Sequence, residues 1–137
     1  MAKMGFLEKW FVNQFPQYLL HKFWGALKLL ETIEAAEKPE NILEIGCGVG
    51  MTSNFLAKKF PGSKITATDF DEEQIGKAKK LYQIPNVEFQ QADATRLRFA
   101  DSSFDACFAF LVFHHIENFT VAIKEIYRIL KPGGKFY

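Results

Sequence analysis

Between residues 41 and 137 short apolar runs alternate with stretches of helical period, and glycine, proline or asparagine separates them. Asn41-Ile42-Leu43-Glu44-Ile45 is too short for a helix and reads as a parallel strand buried on both faces. A helix is predicted from about Met51 to Phe60, with Phe55 and Leu56 toward the sheet and Pro61-Gly62 closing it. Lys64–Asp69 reads as a second strand and Val87–Gln91, by its alternation, as a third. Between them Asp71 caps a helix that runs to about Tyr82 and stops short of Pro85. Phe104 to Phe113 is the most apolar run and is predicted to be the central fourth strand. The last helix, about Phe119 to Leu130, turns Val121, Ile123, Ile126, Ile129 and Leu130 inward. Lys131-Pro132-Gly133-Gly134 ends it, and Lys135-Phe136-Tyr137 begins a fifth strand. Strands alternating with helices make residues 41–137 an α/β domain.

The first strand runs into Gly46-Cys47-Gly48-Val49-Gly50, with glycines at every second position and Glu44 just before them. Glycine lets a backbone take unusual dihedrals and approach a ligand closely. The spacing fits the dinucleotide fingerprint poorly, because Met51 stands where its third glycine belongs. A carboxylate at the strand end would repel a pyrophosphate and attract an ammonium group. In this Glu-x-Gly-x-Gly-x-Gly stretch the chain resembles the class I S-adenosylmethionine-dependent methyltransferases. The resemblance extends to the Phe104-Asp105 strand with His114-His115 at its end, as in small-molecule methyltransferases of quinone biosynthesis, and to Leu130-Lys131-Pro132-Gly133-Gly134. It implies a doubly wound, Rossmann-like parallel sheet of strand order 3-2-1-4-5.

Asp69 ends the second strand about 20 residues after the glycines, where nucleotide-binding α/β units place a carboxylate on ribose hydroxyls. Phe70 follows it and could lie against an adenine face. The resemblance further implies that Asp93 accepts from the adenine amino group while Ala94 N–H serves a ring nitrogen. It puts Glu44 near the methionine ammonium, Gly46, Cys47, Gly48 and Gly50 around the methionine portion, and Phe110 and Leu111 at the methyl end. His114 and His115 are candidates to orient or deprotonate the acceptor, with core packing of one of them as the plainer alternative. The tetrapeptide typical of enzymes that methylate base or amide nitrogen is missing from Phe110-Leu111-Val112-Phe113. With His21 the only other histidine and no thiol pair at ligand spacing, no metal site is expected.

Residues 1–40 form an aromatic-rich arm with two predicted helices, about Phe6–Asn13 and Pro16–Ala36. In the second, Leu19, Leu20, Phe23, Leu27, Leu30 and Ile33 recur at helical spacing, suiting either a lid over a bound cofactor or packing on the sheet. Lys3, Lys9, Lys22 and Lys28 beside the aromatics add weak membrane-surface contact as a third reading.

The 137 residues, 48% hydrophobic and 24% charged, suit one globular domain. A net charge of +1 provides no field for gathering nucleic acid, so none is expected as a partner. Cys47 and Cys107 suggest no disulfide framework, and a reducing cytoplasm is the default. A fifth strand of three residues predicts a fragment of a longer methyltransferase, with an open sheet edge that invites self-association. The expected activity is methyl transfer from S-adenosylmethionine to a small apolar or amphipathic acceptor. The alternatives are a nicotinamide-dependent oxidoreductase domain and a cofactor-binding module without catalysis.

Overall fold

The computed structural model describes residues 24, 25, 28, 31, 33 and 38–137. The predicted Phe6–Asn13 helix lies outside them. Of the second predicted helix, Trp24, Gly25, Lys28 and Glu31 are helical, whereas Ile33, predicted to lie inside it, is in a bend.

The described chain runs β1 (Asn41–Ile45), α1 (Met51–Lys59), β2 (Lys64–Asp69), α2 (Glu72–Leu81), β3 (Val87–Gln91), β4 (Phe104–Ala109), a 3-10 turn (Phe113–His115), α3 (Phe119–Ile129) and β5 (Leu130–Phe136). All ladders are parallel, in the order β3-β2-β1-β4-β5 implied by the resemblance. β1 is the centre of the sheet, bonded to β2 and β4, and Ile42, Leu43 and Glu44 are fully buried. One face of the sheet packs Ile42, Ile65, Ala106 and Phe108 with Leu56 of α1, with Phe60 just after that helix and with Ile33. The other packs Leu43, Ile45 and Cys107 with Ala122, Ile126 and Ile129 of α3. Burial on both faces explains why these strands read as apolar runs. It also pushes the Cys107 thiol well above its usual range, with the Glu44 charge adding to the effect.

Three sequence expectations are corrected. β4 ends at Ala109 rather than Phe113, because its partner β1 ends at Ile45, which pairs with Ala109, and the chain then turns away into the glycines. Ile123 is 41% exposed rather than inward, since the stripe that meets the sheet is Ala122, Ile126 and Ile129. β5 begins at Leu130, and the Pro-Gly-Gly segment is a bulge inside it, so Phe104 pairs with Leu130 and Ala106 with Lys135.

Asp105 closes the sheet at the end where β1 and β4 begin. Its carboxylate accepts from the backbone N–H of Asn41 (2.7 Å) and Glu40 (3.1 Å) and from Lys131 Nζ (2.7 Å). Partial burial acts to raise its pKa, but the hydrogen bonds from Lys131 and the two amides outweigh it and hold the carboxyl below its usual value. A folded-state pKa below the unfolded one stabilises the fold above the unfolded pKa, and the contribution is lost as pH falls through the folded one. Asp105→Asn is therefore expected to destabilise the chain by about 1–2 kcal/mol near neutral pH. The gap between variant and parent in urea denaturation should shrink below roughly pH 4. A gap that does not change with pH would show that the charge is not the stabilising element.

The connection from β3 to β4 contains no helix, and α3 holds it instead. Arg128 grips Glu125 through Nε (2.9 Å) and Nη2 (3.0 Å), and reaches Asp101 Oδ1 (2.6 Å) and the carbonyls of Phe99 and Leu97 (2.8 Å each). Glu125 also accepts from Leu97 N–H at 2.9 Å. Arg96 and Arg98, on the same connection, are exposed. No helix among the described residues is long and apolar enough to cross a membrane.

Candidate functional site

A parallel sheet gathers its loops at the carboxyl ends of the strands. Here those loops enclose a cavity of about 930 Å³, lined from the ends of β1, β2, β3 and β4. From β1 it takes Gly46, Cys47 and Gly48, from β2 Asp69 and Phe70, and from β3 Asp93 and Ala94. These were the residues singled out in the sequence, and the fold brings them to one wall.

The glycine turn is held from both sides. Cys47 N–H donates to the Thr68 carbonyl at 2.9 Å, and Gly50 N–H to Cys47 O at 3.0 Å. Asp69 fixes the middle of the turn: Oδ2 accepts from Gly48 N–H at 2.8 Å and Oδ1 from Asp71 N–H at 3.0 Å. Gly48 has φ +55 and open space where a Cβ would stand, so a ligand can lie directly on its backbone. Phe70 is 72% exposed at the cavity. Asp93 Oδ1 accepts from both the N–H (2.8 Å) and the hydroxyl (2.7 Å) of Thr95, which orients its carboxylate.

Four expected site residues do not line the cavity: Glu44, Gly50, Phe110 and His114. Glu44 lies beneath it, fully buried, and accepts hydrogen bonds from the hydroxyls of Thr52 and Ser53 in the first turn of α1. Thr52 is in the lining, so the carboxylate meets the site through that hydroxyl. Gly50 is the N-cap of α1, and its missing Cβ makes room for Phe89, whose ring would stand 2.9 Å away. Phe110 points to the opposite face, 5% exposed and stacked on Phe108 with ring centroids 5.8 Å apart. Just past β4, Phe110 stays in the core beside Phe108, and the chain bends at Leu111, φ +50, which lines the cavity. His114 and His115 are both exposed, and only His115 lines the cavity.

Sequence reasoning missed Thr52, Val112 and Glu117. Two hydroxyl residues in a helix's first turn, eight and nine positions after a buried acid, were the available signal for Thr52. Val112 sits where a Cβ on Gly46 would go, an approach between loops that no local pattern announces. The described charged lining consists of Asp69, Asp71, Asp93 and Glu117 against Lys77, whose ammonium is bound to Glu73 Oε1 at 2.7 Å. A cavity with four carboxylates suits a ligand carrying positive charge and disfavours a pyrophosphate.

The methyltransferase domain family model matches residues 43–137, the glycine turn and every strand that follows it. The chain belongs to the class I S-adenosylmethionine-dependent methyltransferases. It is 33% identical over 130 residues to a demethylmenaquinone methyltransferase of Chlorobaculum parvum, covering 93% of this chain and 52% of that protein. It is 34% identical to a fatty-acid O-methyltransferase of Mycolicibacterium smegmatis, covering 75% of this chain and 38% of that protein. The crystal structure of the YcgJ protein from Bacillus subtilis superposes with a TM-score of 0.73 at 30% identity, covering 85% of this chain and 48% of that one. This methyltransferase chain thus spans about half or less of the length of these proteins.

Proposed function

We propose that the chain binds S-adenosylmethionine in the cavity at the carboxyl ends of β1, β2 and β3, and that its methyl group passes to a small apolar or amphipathic acceptor on the β4 side. The observation that carries this reading is the meeting of the glycine turn, Asp69 and Asp93–Ala94 on one acidic wall. The donor set fits the cofactor. Asp69, already oriented by two amides, has lone pairs left for ribose hydroxyls. Asp93 faces the adenine amino group, Ala94 N–H a ring nitrogen, and the exposed Phe70 ring the face of the base. Gly46, Cys47 and Gly48 run under the methionine portion, and Glu44 stiffens that floor through Thr52 and Ser53.

When bound, the cofactor supplies a methyl group already activated by the positive charge of its sulfur. The protein's part is to align the acceptor behind that methyl and exclude water, and alignment of this kind can contribute about 7–11 kcal/mol. The names of the relatives, a demethylmenaquinone and a fatty-acid methyltransferase, support an acceptor with a large apolar portion. Nicotinamide-dependent oxidoreduction is not favoured, because a pyrophosphate would lie against Asp69 and Asp71.

Calorimetric titration with S-adenosylhomocysteine tests the cofactor site. Asp69→Ala removes both the ribose partner and the brace on Gly48, so affinity is expected to fall tenfold or more, about 1.4 kcal/mol. Equal binding by parent and variant would remove Asp69 from the site. Methyl transfer measured once binding is established separates an enzyme from a cofactor-binding module.

A further inference from the structure

Large apolar side chains stay exposed together beside β5. Phe119, Ile123 and Tyr127 recur at four-residue spacing and so share one flank of α3. That flank lies next to the buried Ala122, Ile126 and Ile129, on the side away from Glu125, which faces the β3–β4 connection. Phe136 of β5 meets the Phe113 ring edge-to-face with centroids 5.7 Å apart, and Phe113 and Leu130 pack against the core on the α3 face. Its neighbour Tyr137 turns to the other face and stacks on Phe108 at 4.7 Å. The flank of α3 and the Phe136 side of β5 thus form a ridge beside a floor. β1, β2 and β4 each contain four buried residues and β5 contains none, so this floor is the one parallel strand end of the sheet's centre left without full cover among the described residues.

Parallel strands are ordinarily covered on both faces, so this surface is built to meet something. The strand edge itself is a poor template for it. Pro132 has no N–H to offer, and the bulge between the Leu130 and Lys135 pairings breaks the regular run. The adhesive surface is instead the side chains. Phe119, Ile123, Tyr127 and Phe136 are 41–84% exposed, and at roughly 200 Å² for each large side chain they present about 400–500 Å² of apolar area. That is over half of the ~800 Å² that each partner contributes to a standard interface. Of the N-terminal arm, Ile33 is buried on the opposite face of the sheet, against Leu56 and Phe60. A ridge beside a floor of the same apolar chemistry is self-complementary, because a two-fold axis can set the α3 ridge of each copy over the β5 floor of the other. Each contact is then made twice. We propose that this face is a homodimer interface and that its occupant is a second copy of this chain. The face begins at Phe119, directly after Asn118 of the cavity lining, so the second copy stands at the β4-side rim of the site.

Sedimentation velocity of the 137-residue chain tests this without any cofactor, so its outcome is independent of the binding reading above. Across about a hundredfold range of concentration the sedimenting mass is expected to rise from one chain to two, with a Kd on the order of 10 µM for an apolar patch of this size. Ile123→Asp, which puts a charge in the ridge, and Tyr127→Ser, which removes a ring without adding one, should each weaken association tenfold or more. Leu81→Asp, at an exposed apolar position on α2 outside this face, should leave it within twofold. All three positions are exposed, and urea denaturation of each variant beside the parent checks that the fold is kept. A parent that sediments as one chain throughout, as it would with the N-terminal arm or a different protein as occupant, overturns the proposal. So does association that both ridge variants leave intact, or that Leu81→Asp weakens as much as they do.

Discussion

Gly46→Ala is expected to destabilise the chain by roughly 2–5 kcal/mol and to reduce S-adenosylhomocysteine affinity a hundredfold or more in whatever remains folded. Two effects add. Gly46 has φ +74, a left-handed conformation that costs an L-residue about 1–2 kcal/mol. Its Cβ would also stand 2.4 Å from Val112 Cγ2 and 2.7 Å from Val112 Cβ, an overlap the buried turn can relieve only by moving. Overpacking of this kind adds about 1–3 kcal/mol. Gly48→Ala separates the two effects, because Gly48 shares the positive φ but has nothing within 4 Å of its would-be Cβ. It should lose about 1–2 kcal/mol of stability, from φ alone, and lose affinity because the new methyl points into the cavity. Val112→Ala in the Gly46→Ala background should recover part of the stability. Urea denaturation alongside calorimetry checks all three, and equal stability of the two alanine variants would refute the steric account.

Glu44→Ala should be as damaging by another route. The Thr52 and Ser53 hydroxyls that donate to Glu44 are 3% and 0% exposed. With the carboxylate gone each loses that acceptor, at about 1–3 kcal/mol apiece, and a void opens under the glycine turn. A total near 4 kcal/mol is a large share of a small domain's stability, so the melting temperature should fall by many degrees. Glu44→Gln keeps the volume and one carbonyl acceptor, and the other hydroxyl can rotate to accept from the amide. It should lose clearly less. Glu44→Ala within 1 kcal/mol of the parent would mean that the buried acid is not what holds α1 to β1.

Much of this was legible because the first half of the domain is locally determined. Lys64–Asp69 and Val87–Gln91 are strands with the bounds predicted, and Asp71 caps α2 by accepting from Glu73 N–H at 2.8 Å. Glycine, proline and capping residues mark those boundaries within a few positions of the chain. The second half is determined by partners far away in sequence. Nothing in the uniformly apolar Phe104–Phe113 run says that pairing stops at Ala109; that is decided by β1, more than sixty residues earlier. The bonds from Asp105 to Glu40, Asn41 and Lys131 likewise cross 65, 64 and 26 positions. At the site, residue types at strand ends picked out residues that the fold brings to one cavity. Which side of a turning backbone each faces, as with Phe110 against Leu111 or His114 against His115, required coordinates.

α3 links two sides of the cavity. At its N-terminus Asn118 borders the cavity beside the β4 segment. Near its other end Arg128 and Glu125 hold the segment from Leu97 to Asp101, which continues directly from the Asp93–Thr95 wall. The helix is thus a strut with one end at each wall, seated on the sheet by Ala122, Ile126 and Ile129. A tilt of this strut would move the β4 side and the β3 side of the cavity together. Both sides of the cavity are therefore anchored to one helix, which the Arg128 network fixes near its far end.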